Sequence, residues 1–326
     1  MPMPLFVSCL ISALAIAAML GMKYSLPMDH PNHRSLHETP MPRTGGVAII
    51  LGSTCGWVIA WPPPEQVPML LLAILLCCIG FIDDYRGLSI TVRFGFQAAS
   101  AAVLLWFAPR FPGGGAVAVA ALFALLWMAN LFNFMDGSDG LAGGMAVFGF
   151  GLYSLVAYND GMAAFAVTSA SLASAAAAFL WFNFYPARIF MGDAGSVPIG
   201  FLAAAMGLAG WQAGLWSVAF PVLVFSPFIV DASVTLLKRQ LQGKKIWQAH
   251  REHYYQRLIQ MGWGHRKTAL MEYGLMLACG LSALLIRHAS IQIQIIMILG
   301  WAVVYFLLIY KIEKAWLNFS RESALT

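Results

Sequence analysis

Long apolar runs, separated by short polar breaks, make up most of this chain of 326 residues. Each run covers roughly 16–22 residues, which is enough for a helix to cross a hydrocarbon core of about 30 Å. A transmembrane barrel would show shorter segments of strict alternation, so the pattern predicts an all-α polytopic membrane bundle of ten or eleven transmembrane helices. The eleven candidate spans are residues 4–22, 46–61, 67–82, 94–109, 115–132, 141–158, 162–181, 197–211, 215–236, 268–286 and 293–310.

The composition agrees with this pattern. Hydrophobic residues make up 60% of the chain and charged residues 10%, whereas a soluble domain is roughly half apolar and a quarter charged. This balance excludes a soluble fold. The chain shows no internal repeat, so we expect a single membrane-embedded domain over residues 1–326. Its five cysteines lie inside apolar runs and fit neither a metal site nor a disulfide framework.

The basic residues lie almost entirely in one set of breaks. Of the 19 lysines and arginines, only Arg110 and Arg287 fall in the other set. The positive-inside rule makes the charged face cytoplasmic. With eleven spans, the N-terminus is therefore expected to be periplasmic and the C-terminus cytoplasmic. Orientation also explains the formal net charge of +5, so we expect no nucleic-acid partner.

The acidic residues near the charged face lie close to the ends of predicted spans. Three separate breaks carry the acids Asp83, Asp84, Asp136, Asp139 and Asp193. A further acid, Asp231, lies inside the ninth predicted span, about one turn from its cytoplasmic end. An ionisable residue inside a membrane is costly and by default indicates function. The sequence therefore brings several carboxylates to one membrane face at similar depth.

Carboxylates and cations on one face indicate a site for a divalent cation and phosphate groups. Carboxylate and amide oxygens suit Mg²⁺, which takes one or two protein carboxylates and completes its shell with substrate phosphate and water. Residues 238–267, which we predict to be a long loop, supply eight cations, and Arg93 adds one beside the Asp83–Asp84 pair. Phosphoryl transfer requires this combination, because its catalyst mainly positions groups and neutralises charge.

Each of these features also has a simpler structural explanation. Asp83, Asp84 and Asp193 could cap helix ends, and the Asp136–Asp139 stretch could be an ordinary turn. The basic loop could only set topology or contact anionic lipid. The histidines at 250 and 253 could lie on a solvated helix face. The occurrence of all these groups on one side favours function more strongly than any one of them alone.

Four motifs resemble one known family. They are residues 81–84 (FIDD), 130–141 (NLFNFMDGSDGL), 181–183 with 188–193 (WFN and RIFMGD) and 250–253 (HREH). In this order and on these breaks they resemble the polyprenyl-phosphate N-acetylhexosamine-1-phosphate transferases of glycosyltransferase family 4. Residues 31–37 (PNHRSLH) and 42–46 (PRTGG) are similar to the first cytoplasmic loop of the branch that initiates O-antigen synthesis.

The resemblance implies a reaction between a membrane lipid and a nucleotide sugar. A UDP-N-acetylhexosamine gives its sugar-1-phosphate to undecaprenyl phosphate, and the products are an undecaprenyl-diphosphate sugar and UMP. The implied cofactor is Mg²⁺, with Mn²⁺ as a substitute, and the implied location is the bacterial cytoplasmic membrane. A homodimer is the implied assembly. Whether the transfer is direct or passes through a covalent enzyme intermediate stays open at this point.

The resemblance also implies a role for individual residues. The catalytic residues are Asp83, Asp84 and Asp193, and the metal ligands are Asn133 and Asp193. The nucleotide-sugar is held by Asp136, Asp139, Asn183 and Phe190, with Phe190 stacking on the uracil. The phosphate and sugar groups are held by Arg93, His250, Arg251 and His253, and Asn130 and Asp231 support the site.

Two departures separate this chain from the peptidoglycan branch of the family. The muramoyl-pentapeptide enzymes carry three consecutive histidines in the last loop, where this chain reads His-Arg-Glu-His. This chain also has an eleventh predicted span. Both departures favour the O-antigen or common-antigen branch. The sugar stays open among N-acetylglucosamine and 6-deoxy relatives such as N-acetylfucosamine and N-acetylquinovosamine.

Three other classes compete with this interpretation. An ion-coupled transporter could use Asp231 and Asp136 as coupling acids, but the chain lacks the repeated halves that transporters often show. A phosphatidyl transferase acting on a CDP-alcohol needs Ala-Arg soon after Asp-Gly, whereas Asp139-Gly140 leads into Leu-Ala-Gly-Gly. An inactive scaffold of the same fold would not need the acids of the family, all of which are present.

Overall fold

The computed structural model describes residues 2–22, 26–31, 36, 39–108, 114–246, 248 and 250–323. Within these residues, two short strands, β1 (Met28–Asp29) and β2 (Met41–Pro42), pair antiparallel, and all other regular structure is helical. The helices are α1 (Pro2–Gly21), α2 (Gly45–Ala60), α3 (Val67–Arg86), α4 (Ile90–Phe107), α5 (Gly114–Met135), α6 (Leu141–Asn159), α7 (Ala163–Asn183), α8 (Asp193–Gln212), α9 (Ala219–Val224), α10 (Ser226–Leu241), α11 (Tyr254–Leu258), α12 (Gly264–Ile286) and α13 (Ile291–Ser323).

The prediction of an all-α polytopic membrane fold is confirmed. Among the described residues, nine helical stretches are long and apolar enough to cross a membrane. The second predicted span is the shorter helix α2, and the ninth is divided into α9 and α10. Each of the eleven predicted spans therefore coincides with a helix or with a pair of consecutive helices.

The ninth span breaks at Phe225 because Pro227 follows it. Proline has no backbone N–H, and its ring clashes with the carbonyl one turn earlier in a continuous helix. Pro227 instead lies in the first turn of α10, where a missing N–H costs nothing. The hydroxyl of Ser226 donates to the carbonyl oxygen of Leu223 at 2.7 Å, which satisfies a group that the break exposes.

Several helices extend further toward the charged face than predicted. The third span was predicted to end at residue 82, but α3 continues to Arg86, so Asp83 and Asp84 lie in its last turn. Gly87 ends α3 with φ 68°, a left-handed conformation that suits glycine. Ser89 then begins α4 by accepting a hydrogen bond from the N–H of Val92 at 3.3 Å. Polar residues at a helix end lower the hydropathy before the helix itself stops, so hydropathy predicts helices that are too short.

The stretch at residues 238–267 is not the long loop that we predicted. It contains the end of α10, the short helix α11, a π-helical turn (Ile259–Trp263) and the first residues of α12. The last helix also exceeds the prediction, since α13 runs for 33 residues, or about 50 Å. That length exceeds a hydrocarbon core of about 30 Å, so α13 reaches beyond the membrane.

Helix α8 lies at the centre of the bundle. A Cβ atom on Gly46 of α2 would lie 2.1 Å from the Cα of Gly195 in α8. A Cβ on Gly80 of α3 would lie 2.5 Å from the carbonyl oxygen of Asp193. Only glycine allows such close approach of two backbones. These contacts place the N-terminal end of α8, which carries Asp193, among the neighbouring helix ends.

Candidate active site

Four predicted site residues meet where α3, α4, α5 and α8 end at the charged face. One nitrogen of Arg93 (Nη1) donates to Asp83 Oδ2 at 2.9 Å and to Asp193 Oδ2 at 2.8 Å. The amide nitrogen of Asn133 donates to the other oxygen of Asp193 at 2.7 Å. Each residue comes from a different helix, so the packing of four helix ends builds this cluster. We call Asp83, Arg93, Asn133 and Asp193 the carboxylate cluster.

Asp84 lies beside this cluster and caps α8. It is buried, and its carboxylate accepts hydrogen bonds from the N–H of Asp193 at 3.3 Å and of Ala194 at 3.1 Å. The first N–H groups of a helix have no partner within the helix, and the helix dipole there favours a negative charge. The guanidinium of Arg43 lies 3.5 Å from the same carboxylate. Asp84 therefore fixes the position of Asp193, and its predicted catalytic role stays a prediction.

Gly192 allows this arrangement. Its φ is 73°, and a Cβ atom there would lie 2.2 Å from the carbonyl oxygen of Arg43 and 2.6 Å from Asp84 Oδ2. Any side chain would therefore displace either the capping carboxylate or the backbone before α2. The glycine of the 188–193 motif is explained by this close approach.

Asp136 adds a further carboxylate at the start of the turn between α5 and α6. Burial raises its pKa well above its usual value, and the nearby carboxylates of Asp193 and Asp84 raise it further. A hydrogen bond from the backbone of Gly192 acts in the opposite direction. The site thus combines four acids with the guanidinium groups of Arg43 and Arg93. This excess of carboxylates favours the binding of a cation.

The donor atoms suit Mg²⁺, which can be held partly by substrate and water, better than they suit a metal ion whose ligands all come from the protein. Among the described residues, no group of three or more His, Cys, Asp or Glu side chains could hold a metal ion. Mg²⁺ needs only one or two protein carboxylates when substrate phosphates and water complete its shell. Asp193 offers a carboxylate, and Asn133 offers its amide oxygen because its nitrogen donates to Asp193 and, at 3.3 Å, to Ser196. An all-oxygen donor set of this kind suits Mg²⁺ or Mn²⁺.

Two residues predicted to hold the nucleotide-sugar join the loops of the site. The Asn183 side chain accepts from the N–H of Gly140 and donates to the carbonyl oxygen of Ile189, both at 2.9 Å. Asp139 accepts from the N–H of Ala187 at 3.0 Å. Both side chains are buried. They hold the turn after α5 against the segment before α8, and their contact with a nucleotide stays a prediction.

Phe190 lies in the segment before α8, next to the start of α2. Its N–H donates to the carbonyl oxygen of Pro42 at 2.8 Å, and its carbonyl oxygen accepts from Gly45 at 2.9 Å. The 42–46 and 188–193 motifs therefore form one layer beside the carboxylate cluster. Of the 31–37 motif, only Pro31 and Leu36 lie among the described residues. The Phe190 side chain is half-buried, and its stacking on uracil stays a prediction.

Asp231 is a helix cap and not a lone intramembrane acid. Its two oxygens accept from the N–H groups of Tyr254 at 2.9 Å and Tyr255 at 3.0 Å. One of them also lies 3.2 Å from His253 Nδ1. These partners explain why a carboxylate is buried in the ninth span. They also weaken the transporter interpretation, because a coupling acid must release its partners to bind an ion.

The 250–253 motif reaches the carboxylate cluster through Phe134. The ring of His253 stacks on the ring of Phe134 at 6.2 Å, and the Tyr255 hydroxyl donates to the Phe134 carbonyl at 3.1 Å. Phe134 directly follows Asn133 in α5. The ring of His250 lies 4.9 Å from that of His253, and Arg251 is exposed. His253, with His250 beside it, therefore lies against the residue that follows Asn133 of the cluster.

One predicted supporting residue and one that we did not predict lie near the cluster and the turn after α5. Asn130 donates to Gln97 Oε1 at 2.7 Å, which joins α5 to α4 below the cluster and fits its predicted supporting role. His265, which we did not predict, lies 3.0 Å from the hydroxyl of Ser138 and stacks on Tyr185 at 6.1 Å. The only sequence feature that could have pointed to His265 is its place in the basic run after Gly264. Such a run indicates charge, and it does not predict a contact with a residue 127 positions away.

An apolar cavity of about 250 Å³ lies between α5, α8 and the broken ninth span. Its lining includes Trp127, Leu208, Val222 and Ile229 and is almost wholly apolar. Trp127 packs edge-on against Phe134 at 6.5 Å, so the cavity adjoins the residue that also contacts His253.

Comparison with known proteins gives the same family as the motifs. Residues 67–211 match the family model described as glycosyl transferase family 4. The decaprenyl-phosphate N-acetylglucosaminephosphotransferase of Mycobacterium leprae is 30% identical over 290 residues, which cover 75% of this chain and 73% of the relative. The chain belongs to the polyprenyl-phosphate sugar-1-phosphate transferase family. The resemblance of the four motifs is thereby confirmed.

Two further relatives cover more of the chain at lower identity. The probable undecaprenyl-phosphate N-acetylglucosaminyl 1-phosphate transferase of Bacillus subtilis is 28% identical over 83% of this chain and 80% of its own length. The undecaprenyl-phosphate alpha-N-acetylglucosaminyl 1-phosphate transferase of Escherichia coli K12 is 25% identical over 89% and 84%, respectively. This multi-pass membrane protein therefore belongs to an enzyme family that uses polyprenyl phosphate.

Proposed function

We propose that this protein transfers N-acetylglucosamine-1-phosphate from UDP-N-acetylglucosamine to undecaprenyl phosphate at the cytoplasmic face of the membrane. The observation that carries the proposal is the carboxylate cluster, in which Arg93 joins Asp83 to Asp193 and Asn133 contacts Asp193. Groups of both signs meet there, and an apolar cavity deeper in the bundle is linked to the cluster through the contact of Trp127 with Phe134. A lipid phosphate and a soluble diphosphate can approach such a site from opposite sides.

The reaction is a direct displacement at phosphorus. An oxygen of the lipid phosphate attacks the phosphorus that carries the sugar, and a new P–O–P bond forms. The bond to the UMP oxygen breaks, and UMP leaves with that electron pair. The nucleophile needs little help from a base because a phosphate monoester is already largely ionised at neutral pH. The main tasks of the protein are positioning and charge neutralisation.

Arg93 is placed to perform much of this neutralisation. Its side chain is 36% exposed while one nitrogen bridges two carboxylates. A guanidinium has five N–H donors, so its remaining donors can bind phosphate oxygens. Asp83 and Asp193 orient the planar group, and Asp83 stays the candidate for positioning the lipid phosphate. A lysine at this position would offer only a point charge.

We assign Mg²⁺ to Asp193 and Asn133, the carboxylate and amide that the donor chemistry favours. When bound, the ion supplies charge stabilisation to the diphosphate and its leaving oxygen. His250, Arg251 and His253 are assigned to the diphosphate and sugar, and Phe190 to the uracil. The apolar cavity beside Trp127 is assigned to the part of the prenyl chain nearest its phosphate.

The relatives favour N-acetylglucosamine over other N-acetylhexosamines, since the names of all three specify it. The His-Arg-Glu-His motif and the eleventh span favour the initiating step of O-antigen or a related envelope polysaccharide over peptidoglycan synthesis. The charged face is assigned to the cytoplasm by the positive-inside rule. A homodimer stays a prediction from the family resemblance.

The test uses the purified full chain in detergent with undecaprenyl phosphate, Mg²⁺ and a panel of UDP-N-acetylhexosamines. We expect UMP release that requires the lipid, stops with EDTA and is fastest with UDP-N-acetylglucosamine. Faster release with a 6-deoxy sugar would change the sugar assignment alone. Release that is unchanged by EDTA would refute the metal assignment. Absence of release with every sugar would refute the proposed reaction.

A further inference from the structure

One carboxylate of the last helix connects three elements at the charged face. Glu313 of α13 accepts from Lys238 Nζ of α10 at 2.5 Å. The same oxygen accepts from the Tyr254 hydroxyl at 3.0 Å and from Arg257 Nη1 at 2.9 Å, both in α11. Glu313 is only 22% exposed at its side chain and Arg257 only 7%. No motif of the sequence drew attention to this residue.

We propose that Glu313 is a positioning residue that holds α11, and with it the 250–253 motif, beside the carboxylate cluster. This inference rests on the proposed function of that motif in binding the diphosphate and sugar. It makes α13, the helix that extends beyond its predicted span, a part of the active-site architecture.

Helix α11 is too short to hold its own position. It has five residues before the π-helical turn (Ile259–Trp263), and so short a helix depends on tertiary contacts for its stability. Asp231 fixes its N-terminal end through the N–H groups of Tyr254 and Tyr255. Glu313 fixes its side through Tyr254 and Arg257. Two carboxylates from two other helices therefore hold α11 by polar contacts, in addition to the packing of its buried side chains.

The contacts of Arg257 carry this constraint into the motif itself. Its Nε donates to the carbonyl oxygen of Glu252 at 2.9 Å, so the same guanidinium binds Glu313 and the backbone of the motif. Its charged group also lies over the rings of Tyr254 at 5.3 Å and Trp316 at 5.4 Å. Trp316 lies three residues after Glu313 on α13, so the ion pair and the contact with the Trp316 ring come from one helix.

From α11 the path to the carboxylate cluster is short. The Tyr255 hydroxyl donates to the Phe134 carbonyl, and His253 stacks on the Phe134 ring. A shift of α11 would move both contacts away from the residue next to Asn133. Loss of Glu313 would also leave the buried cation of Arg257 without its carboxylate partner, which is strongly unfavourable. The Arg257 side chain would then rearrange to bind another acceptor or water, and its hydrogen bond to the Glu252 carbonyl would be lost.

The test compares Glu313→Gln and Glu313→Asp with the control Glu322→Gln. Glu322 is an exposed acid on the same helix, so its substitution leaves the contacts of α11 intact. In the UMP assay we expect Glu313→Gln to raise KM for the UDP-sugar about tenfold to a hundredfold, the effect of losing hydrogen bonds to a charged group. KM for the lipid should change less than threefold, and Glu313→Asp should recover part of the loss.

A second measurement separates positioning from general loss of stability. In a His253→Ala background, Glu313→Gln should add less than a threefold further effect, because both changes remove the same contribution. If the rise in KM of the double variant equalled the product of the rises in the two single variants, the proposal would be overturned. An equal rise of KM for the lipid, or Glu313→Gln behaving like Glu322→Gln, would also overturn it.

A third measurement does not depend on activity. Hydrogen exchange of the peptide that contains Tyr254 and Tyr255 should be at least tenfold faster in Glu313→Gln than in Glu322→Gln. Unchanged exchange would overturn the inference even if the protein transferred no sugar-phosphate. Faster exchange together with an inactive parent protein would refute the proposed function and leave the positioning of α11 supported.

Discussion

Replacement of Asp84 by alanine tests the claim that this acid caps α8. The side chain of Asp84 is 1% exposed, and its carboxylate accepts from two N–H groups in the first turn of α8. Alanine removes both acceptors and leaves the guanidinium of Arg43 without its carboxylate. We therefore expect a loss of stability together with a displaced Asp193.

The size of the effect follows from these contacts. Loss of an N-cap costs about 0.5–2 kcal/mol, and a buried donor left without a partner costs roughly 1–3 kcal/mol. Because the two bonds share one carboxylate and are not additive, we expect a total of about 2–4 kcal/mol. On a scale of roughly 2 °C per kcal/mol for a large chain, Tm should fall by about 4–8 °C.

The assay is thermal unfolding of the purified variants in detergent at one heating rate, with UMP release measured in parallel. The matched control is Asp160→Asn, which weakens a partly exposed, bidentate ion pair with Arg287 at the opposite face. A surface pair of this kind is worth about 1 kcal/mol at most when it keeps one acceptor oxygen. The Tm of Asp84→Asn should lie between those of Asp84→Ala and the control, since the amide keeps one acceptor oxygen. If Asp84→Ala unfolded within about 1 °C of the control and kept its activity, the capping argument would be refuted.

The remaining predictions concern the metal, the nucleotide and pH. Asp193→Asn should lower UMP release by at least about 10²-fold because it removes the charge at a preorganised site, and near-normal activity would refute the metal assignment. Phe190→Ala should mainly raise KM for the UDP-sugar; a fall in kcat alone would contradict uracil stacking. Burial, then the nearby His253 and Arg239, lower the pKa of His250 from 6.5 to about 4. The unfolded chain therefore binds more protons between these values, so stability should fall as pH drops from 6.5 toward 4. His250→Gln should reduce that fall in Tm, and an unchanged pH profile would contradict the assignment.

Hydropathy predicted the spans well but their ends poorly. Apolar runs of sufficient length identify a transmembrane helix wherever they occur, and each of them coincides with helical structure. The ends depend on caps that the polar residues themselves form, such as Gly87 after α3 and Ser89 before α4. At the helix ends the residues become polar, so the hydropathy falls although the helical backbone hydrogen bonds continue for several more residues. As a result, Arg93 lies in the first turn of a helix.

The motifs predicted the carboxylate cluster, whereas its supports depend on the fold. Asp83, Asn133 and Asp193 each belong to a local pattern, so the sequence could identify them one by one. The contacts of Asp231 with α11 and of Glu313 with Arg257 join residues 23 and 56 positions apart. No local pattern encodes such a pair in a single sequence. Glu313 was therefore missed, whereas Asp84 and Asp231 had been singled out from the sequence without their partners.

The supporting acids also show why burial alone does not identify a catalytic group. Asp84 and Asp231 are both buried, and each carboxylate accepts from two backbone N–H groups at a helix start. Such carboxylates have their lone pairs engaged before any substrate arrives. Asp83 is also buried, and its Oδ1 accepts from the N–H of Leu88 at 2.6 Å, but its Oδ2 shares the nitrogen of Arg93 with Asp193. The groups best placed to meet phosphate are those bridged by a partly exposed cation.

Transfer of a labelled phosphorus from the nucleotide-sugar to the lipid tests the proposed reaction. UDP-N-acetylglucosamine labelled at the phosphorus that carries the sugar would be incubated with the full chain, Mg²⁺ and undecaprenyl phosphate. We expect the label to enter the lipid fraction and one UMP to appear for each labelled lipid. Release of UDP, with the label left on the nucleotide, would show transfer of the sugar alone and would contradict the proposed reaction.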